Sequence, residues 1–132
     1  MSGALAIRHV ATPIVNAGVT VGEMRVCGGP ARDAAWNQIK ADVTGFTIAV
    51  PHSLETAVVG SGILGAVGIG AHADLPSAIR AMTRIDLRLQ PRLEFRETYD
   101  ALFEAYVGLH QAIAPILEPL ADRPAADPVA AS

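Results

Sequence analysis

The residues best suited to meet a ligand with bare backbone are Gly28 and Gly29, in the stretch MRVCGGPARDAAWNQIKADVTG from Met24 to Gly45. Two adjacent glycines let a ligand approach the chain with no Cβ in the way. They follow a short apolar run and precede a helix start, a common way to build a backbone pocket for a phosphate or a nucleotide. Pro30 suits a first helical turn. Asp33 falls in that turn or at the N-cap, where a carboxylate meets free N–H groups. The other chemistry-bearing residues are scattered. Cys27 is the single cysteine. With no second cysteine and no adjacent histidine it reads as a buried structural residue, and it allows no internal disulfide, as suits a reducing cytoplasm. His9 reads as a surface or edge residue. Glu55 reads as the cap of a following helix. His52 and His72 lie too far apart to share a metal-binding turn, and no residue set has zinc-like spacing. Spacing therefore assigns no catalytic and no metal-ligating residue.

The elements that must position the glycines can be read around them. Met24 to Cys27, about residues 24–27, reads as a short, mostly buried strand. After the Gly28-Gly29-Pro30 turn comes a helix whose buried stripe is Ala35, Trp36, Ile39 and Val43, with Asn37, Lys40 and Ala41 elsewhere, ending at Gly45. Phe46 to Val50, about residues 46–50, reads as a second strand stopped by Pro51. A β, turn, α, β order argues for two parallel strands joined by a crossover helix. Ahead of it, Ala4 to Val15 reads as a helix with Ile7, Val10 and Ile14 on one face, Arg8 and His9 away from that face, and Pro13 as a weak point.

Beyond it, Ser53 to Ala71 carries no charge from Thr56 onward, and small residues recur at Ala57, Ser61 and Gly65 and at Gly62, Ala66 and Gly70. That pattern lets a helix pack closely inside a protein, and it is shorter than the ~20 residues a membrane span needs. A helix is expected from Asp74, an alternating strand over Ile85 to Gln90, and a last long helix over Leu93 to Ala114 with an apolar stripe of Tyr99, Leu102, Phe103, Tyr106, Leu109 and Ile113, broken or kinked by Pro115. The Pro- and Ala-rich residues 121–132 read as a disordered tail.

At 132 residues the chain fits one domain, with 51% hydrophobic residues and 5% aromatic. Its core must be built from Ala, Val, Ile and Leu. So much apolar sequence implies a face covered by another domain or subunit. The net charge of −3 with no basic run gives no footprint for nucleic acid. The first residues have no basic run ahead of their apolar stretch, which Arg8 and His9 interrupt, so a signal peptide is not expected.

The pieces CGGPARDAAWNQIKADVTG, TIAVP, ETAVVGSGILGAVGIGAHADL and YDALFEAYVGLH, in that order, resemble the C-terminal part of FGGY-family carbohydrate kinases, the group of xylulokinase and glycerol kinase. SGALAIRHVATPIVNAG resembles the helix ahead of the double glycine in that family, so the resemblance runs from about Gly3 to Leu120. It implies an α/β fold, part of the second RNase H-like domain of the actin-like ATPase superfamily, incomplete over residues 1–120. It implies an enzyme that moves the γ-phosphate of ATP, with Mg²⁺, to a sugar or polyol hydroxyl, xylulose-like by the look of the segment. Carried over by position, Gly28 and Gly29 would lie against the adenosine part of ATP, and Asp33 would stand near the adenine where relatives often have Asn or Ser. Pro30 departs from the usual Gly or Ala and has no N–H to donate. The catalytic Asp and the phosphate loops of the family precede the part matched here. The resemblance therefore implies a fragment that is inactive alone and partnered by an N-terminal kinase domain. The alternatives are a non-catalytic nucleotide-binding or oligomerising module paired with its own copies and, more remotely, a membrane-associated protein.

Overall fold

The computed structural model describes residues 2–121. The expected tail lies outside the described residues, apart from Ala121. Helix α1 spans Ser2–Asn16, strand β1 Met24–Arg25, α2 Ala34–Thr44, β2 Ile48–Pro51, α3 Thr56–Gly68, α4 Leu75–Met82, β3 Ile85–Leu89 and α5 Arg96–Ala121. Short 3₁₀ turns, Gly29–Arg32 and Leu93–Phe95, precede α2 and α5.

The three strands form one sheet in the order β1-β2-β3. β1 runs parallel to β2, with Met24 opposite Ile48 and Arg25 opposite Ala49. β3 returns antiparallel on the other side of β2, with a bulge between Val50 and Pro51. A bulge is where a proline, lacking an N–H, can end a central strand. The parallel pair is the expected one, displaced at its ends. β1 stops at Arg25 rather than Cys27, because after Val26 donates to the Ala49 carbonyl at 3.1 Å the chain turns away at Gly28.

α2 is held at both ends by its own sequence. Asp33 is the N-cap, its Oδ1 accepting the Trp36 N–H at 3.0 Å. Gly45 closes the helix in the left-handed region, φ 75° and ψ 8°, its N–H donating to the Ala41 carbonyl at 2.8 Å. A Cβ added at Gly45 would stand 2.5 Å from Nη1 of Arg96, the movable end of a flexible side chain. The backbone conformation therefore sets the cost, and Gly45→Ala is expected to lose about 1–2 kcal/mol in a urea titration. An unchanged midpoint would contradict this account.

α2 is a central layer. Ala41 packs with Val26, Ala31 and Ile48 against the sheet side. Val43, with Trp36 and Ile39, packs against Ala4 and Leu5 of α1 and Tyr99, Leu102, Phe103 and Tyr106 of α5. A single buried stripe is therefore the wrong expectation for this helix. Ala35 is exposed and Trp36 and Ile39 are half-buried, whereas Asn37, Lys40, Ala41, Asp42, Val43 and Thr44 are all buried. The periodic reading assumes one covered face, and α2 has two.

Other expectations are corrected the same way. α1 buries Ala4 and Leu5 and turns Arg8 and His9 towards α5, leaving Val10 and Ile14 exposed. The Arg8 guanidinium pairs with Asp100 at 2.6 Å and lies 4.3 Å from the Phe103 ring centroid, and His9 packs edge-on to Phe103, Tyr106 and His110. α3 is not a buried helix. Only Ile63 is buried on it, and of its glycines only Gly62 approaches a neighbour, Met82 of α4. Asp74 and Ser77 form a reciprocal capping box that starts α4. α5 passes Pro115 and continues to Ala121, where Gln111, whose carbonyl a proline at 115 leaves free, is exposed to water.

Candidate functional site

The double-glycine turn leaves β1 at its C-terminal end and is tied down from below. Gly28 has φ 76° and ψ −176°, a region that belongs to glycine. Its N–H donates to the Leu54 carbonyl at 3.0 Å, and its carbonyl accepts the Ala31 N–H at 3.1 Å. Ala31 is buried, and its carbonyl accepts Nδ2 of Asn37 at 2.7 Å. Lys40 donates to Oδ1 of Asn37 at 3.0 Å. Burial pushes the Lys40 ammonium pKa below its ordinary value, against the pull of Asp33 and Cys27.

The outer side of the turn is open. Gly29 and Pro30 are exposed, and a Cβ on Gly29 would meet nothing within 4 Å. Gly28 and Gly29 open the 3₁₀ turn and Asp33 follows it as the N-cap of α2, one of the two places the sequence allowed for it. The helix start itself differs. A 3₁₀ turn separates the glycines from α2, and the first turn of α2 already holds the Asp33 carboxylate. A carboxylate there takes the place an anionic phosphate would occupy and repels it. The arrangement presents bare backbone and one acceptor, and it suits the uncharged end of a ligand better than a phosphate.

Two sequence expectations near the turn are corrected. Cys27 is exposed, because the chain bends outward as β1 ends. Glu55 stands at the N-cap of α3 without a side-chain cap bond, and its carboxylate lies 3.6 Å from Arg32 instead. Asn37 and Lys40 were missed as buried site supports. Their i, i+3 spacing on a second face of the helix, shared with Ala41 and Thr44, is the signal that could have found them.

The loop that receives Gly28 also borders a cavity of about 390 Å³, walled by Ile63 and Met82 and edged by His52, Ser53, Thr56 and Arg84. His52 Nδ1 and Asp86 Oδ2 are 2.7 Å apart, and Arg84 Nε donates to Oδ1 at 2.9 Å. The His52 ring, helped by Arg84, holds the Asp86 carboxyl below the usual carboxylate range against the opposing push of burial. Among the described residues no group of three His, Cys, Asp or Glu side chains could hold a metal ion, and no helix is long and apolar enough to cross a membrane.

A glycine turn at the carboxyl end of a parallel strand, next to a crossover helix, is the arrangement of an α/β domain. Comparison with known proteins gives the particular family. The model for the C-terminal domain of the FGGY family of carbohydrate kinases matches residues 1–69. The FGGY carbohydrate kinase domain-containing protein of Xenopus laevis is 28% identical over 106 residues, 80% of this chain and 19% of that protein. Ribulokinase of Mycolicibacterium smegmatis is 33% identical over 108 residues, 81% of this chain and 19% of that protein. The crystal structure of xylulose kinase from Rhodospirillum rubrum superposes with a TM-score of 0.68 at 25% identity, over 87% of this chain and 23% of that one. The chain belongs to the FGGY family of carbohydrate kinases, and its mixed α/β fold is that of the family's C-terminal, actin-like ATPase domain. It spans about a fifth of the length of the relatives it matches.

Proposed function

We propose that residues 1–120 are the incomplete C-terminal domain of a cytoplasmic carbohydrate kinase and that its glycine turn holds the adenosine part of ATP. The observation that carries this reading is the family match across residues 1–69, which contains the whole turn. Gly28 and Gly29 supply the bare backbone, and Asp33 offers the carboxylate oxygen its cap bond leaves free to an N–H or O–H of the nucleoside. ATP, with Mg²⁺, supplies the phosphoryl group for a sugar or polyol hydroxyl, and a xylulose-like ketose is the acceptor proposed. The residues at this turn are not a Mg²⁺ site. Asp33 is a single carboxylate with one oxygen held by the cap bond of α2, so no step is assigned to the metal here. Deprotonation of the sugar hydroxyl belongs to the N-terminal kinase domain, the partner this reading requires.

A second reading, a nucleotide-binding module that pairs with its own copies, is favoured by the exposed apolar residues of α1 and α3. One set of titrations tests both. Calorimetry of the purified chain with ATP is expected to show binding that adenosine competes away and inorganic triphosphate does not. A coupled assay with ATP and xylulose is expected to show no turnover. Competition by triphosphate alone would move the site to the phosphates. Turnover at an ordinary enzymatic rate would end the claim that the chain is inactive alone, and light scattering of a stable dimer would favour the second reading.

A further inference from the structure

Lys40 has a relative exposure of 6% and Asn37 of 1%. A buried ammonium is costly unless it is paired, and an apolar side chain of similar volume is often cheaper in its place. The Lys40 ammonium is hydrogen-bonded to Asn37 and lies 5.4 Å from the Trp36 ring centroid. What the lysine adds is direction. An ammonium can only donate, so the oxygen of the Asn37 amide must face it. The NH₂ of that amide must then face the other way, towards the Ala31 carbonyl, where it donates at 2.7 Å. Ala31 in turn donates to Gly28, and Gly28 to Leu54. One run of hydrogen bonds leads from the ammonium to the glycine whose φ is positive.

We infer that Lys40 is a positioning residue: it anchors the far end of the Asn37 amide and through it steadies the backbone of the Gly28–Ala31 turn. Its effect on a nucleotide rests on the reading of that turn as an adenosine site. With Lys40 replaced by an apolar residue, Oδ1 of Asn37 loses its donor and the amide is held only by its bond to the Ala31 carbonyl. The turn would loosen while α2 stays folded.

The test is amide hydrogen exchange by NMR on the full chain, with Lys40→Met, Asn37→Ala, the double variant and Lys40→Arg. K40M is expected to speed exchange at Gly28 and Ala31 on the order of tenfold, with Ala41 and Val43 unchanged. The Asn37 side-chain NH₂ signals are expected to shift. N37A should give the same loss and the double variant no more than N37A alone, while K40R, which keeps a charged donor, should restore much of the protection. ATP titrations of the same samples should show about tenfold weaker binding for K40M. Unchanged exchange at Gly28 and Ala31 overturns the inference, as do losses that simply add in the double variant. If K40M does not fold, N37A against K40R decides: fast exchange in the first with protection in the second supports the relay, and equal exchange refutes it. Loosened exchange with no ATP binding, even by the unaltered chain, supports the relay and overturns the adenosine reading instead.

Discussion

Replacing Asp42 with alanine is expected to lower the unfolding free energy by about 2–4 kcal/mol. The Asp42 side chain is fully buried, while that of Arg92 is 47% exposed. Its carboxylate accepts the Arg92 backbone N–H at 2.8 Å, Nε at 3.1 Å and Nη2 at 2.7 Å, and Nε2 of Gln38 at 2.8 Å. These bonds fasten α2 to the chain just before α5, so their loss frees the helix that covers α2. Hydration of the half-exposed guanidinium limits the damage, which sets the estimate below the top of the usual range for a broken buried pair. Burial pushes the Asp42 carboxyl up, and the donors from Arg92 and Gln38 outweigh it and hold the group below its ordinary value. A folded value below the unfolded one means that the contribution is complete above about pH 4 and is lost as pH falls through the folded value. Urea titrations from pH 7 to pH 3 should show the parent losing stability on acidification more steeply than D42A. A D42A protein within experimental error of the parent at pH 7 would refute the assignment.

Gly28→Ala is expected to cost about 1–3 kcal/mol and to weaken ATP at least about tenfold, because alanine cannot rest at φ 76° and ψ −176°. Crowding is not the cause, since the nearest atom to an added Cβ is Cδ of Pro30 at 4.0 Å. The strain would open the bonds to Leu54 and Ala31 that set the turn. Gly29→Ala is the matched control. Gly29 has no positive φ, and its Cβ would meet nothing nearby. It should keep its stability and lose ATP affinity, because the added methyl stands where the nucleoside is proposed to lie. Denaturation and calorimetry on the two variants separate strain from contact. A G28A chain as stable as the parent, or a G29A chain with full ATP affinity, would overturn the corresponding half of this account.

Much of the fold was legible because it is encoded locally. The stop at Gly45, the start of α2 at Asp33 and the alternating strand at Ile85 each follow from a few adjacent residues, and the parallel β1–β2 pair follows from the order strand, turn, helix, strand. The orientation of the helices was not. Burial of Asn37, Lys40 and Asp42 depends on partners brought to both sides of α2, and Arg92 lies fifty residues from Asp42 in sequence. Arg8 and His9 sit inward because Asp100 and the α5 aromatics await them, which no period within α1 can announce. Helix α3 misled in the opposite sense: an uncharged, small-residue sequence suggested burial, and among the described residues little covers it. At the site, the glycine turn and an Asp33 at the start of the following helix were legible. The polar run beneath it was not, because a lysine and an asparagine on a helix ordinarily read as solvated.

The exposed side of α3 has one more consequence. Thr56 to Gly68 contains no charge, so the molecule's net −3 lies elsewhere. Long-range repulsion between molecules gives that face little protection. Contact between two such faces would be driven by release of water, strengthening on warming from the cold and in sulfate, and weakening in urea. Association through that face is thus expected to respond to temperature and to excluded salts.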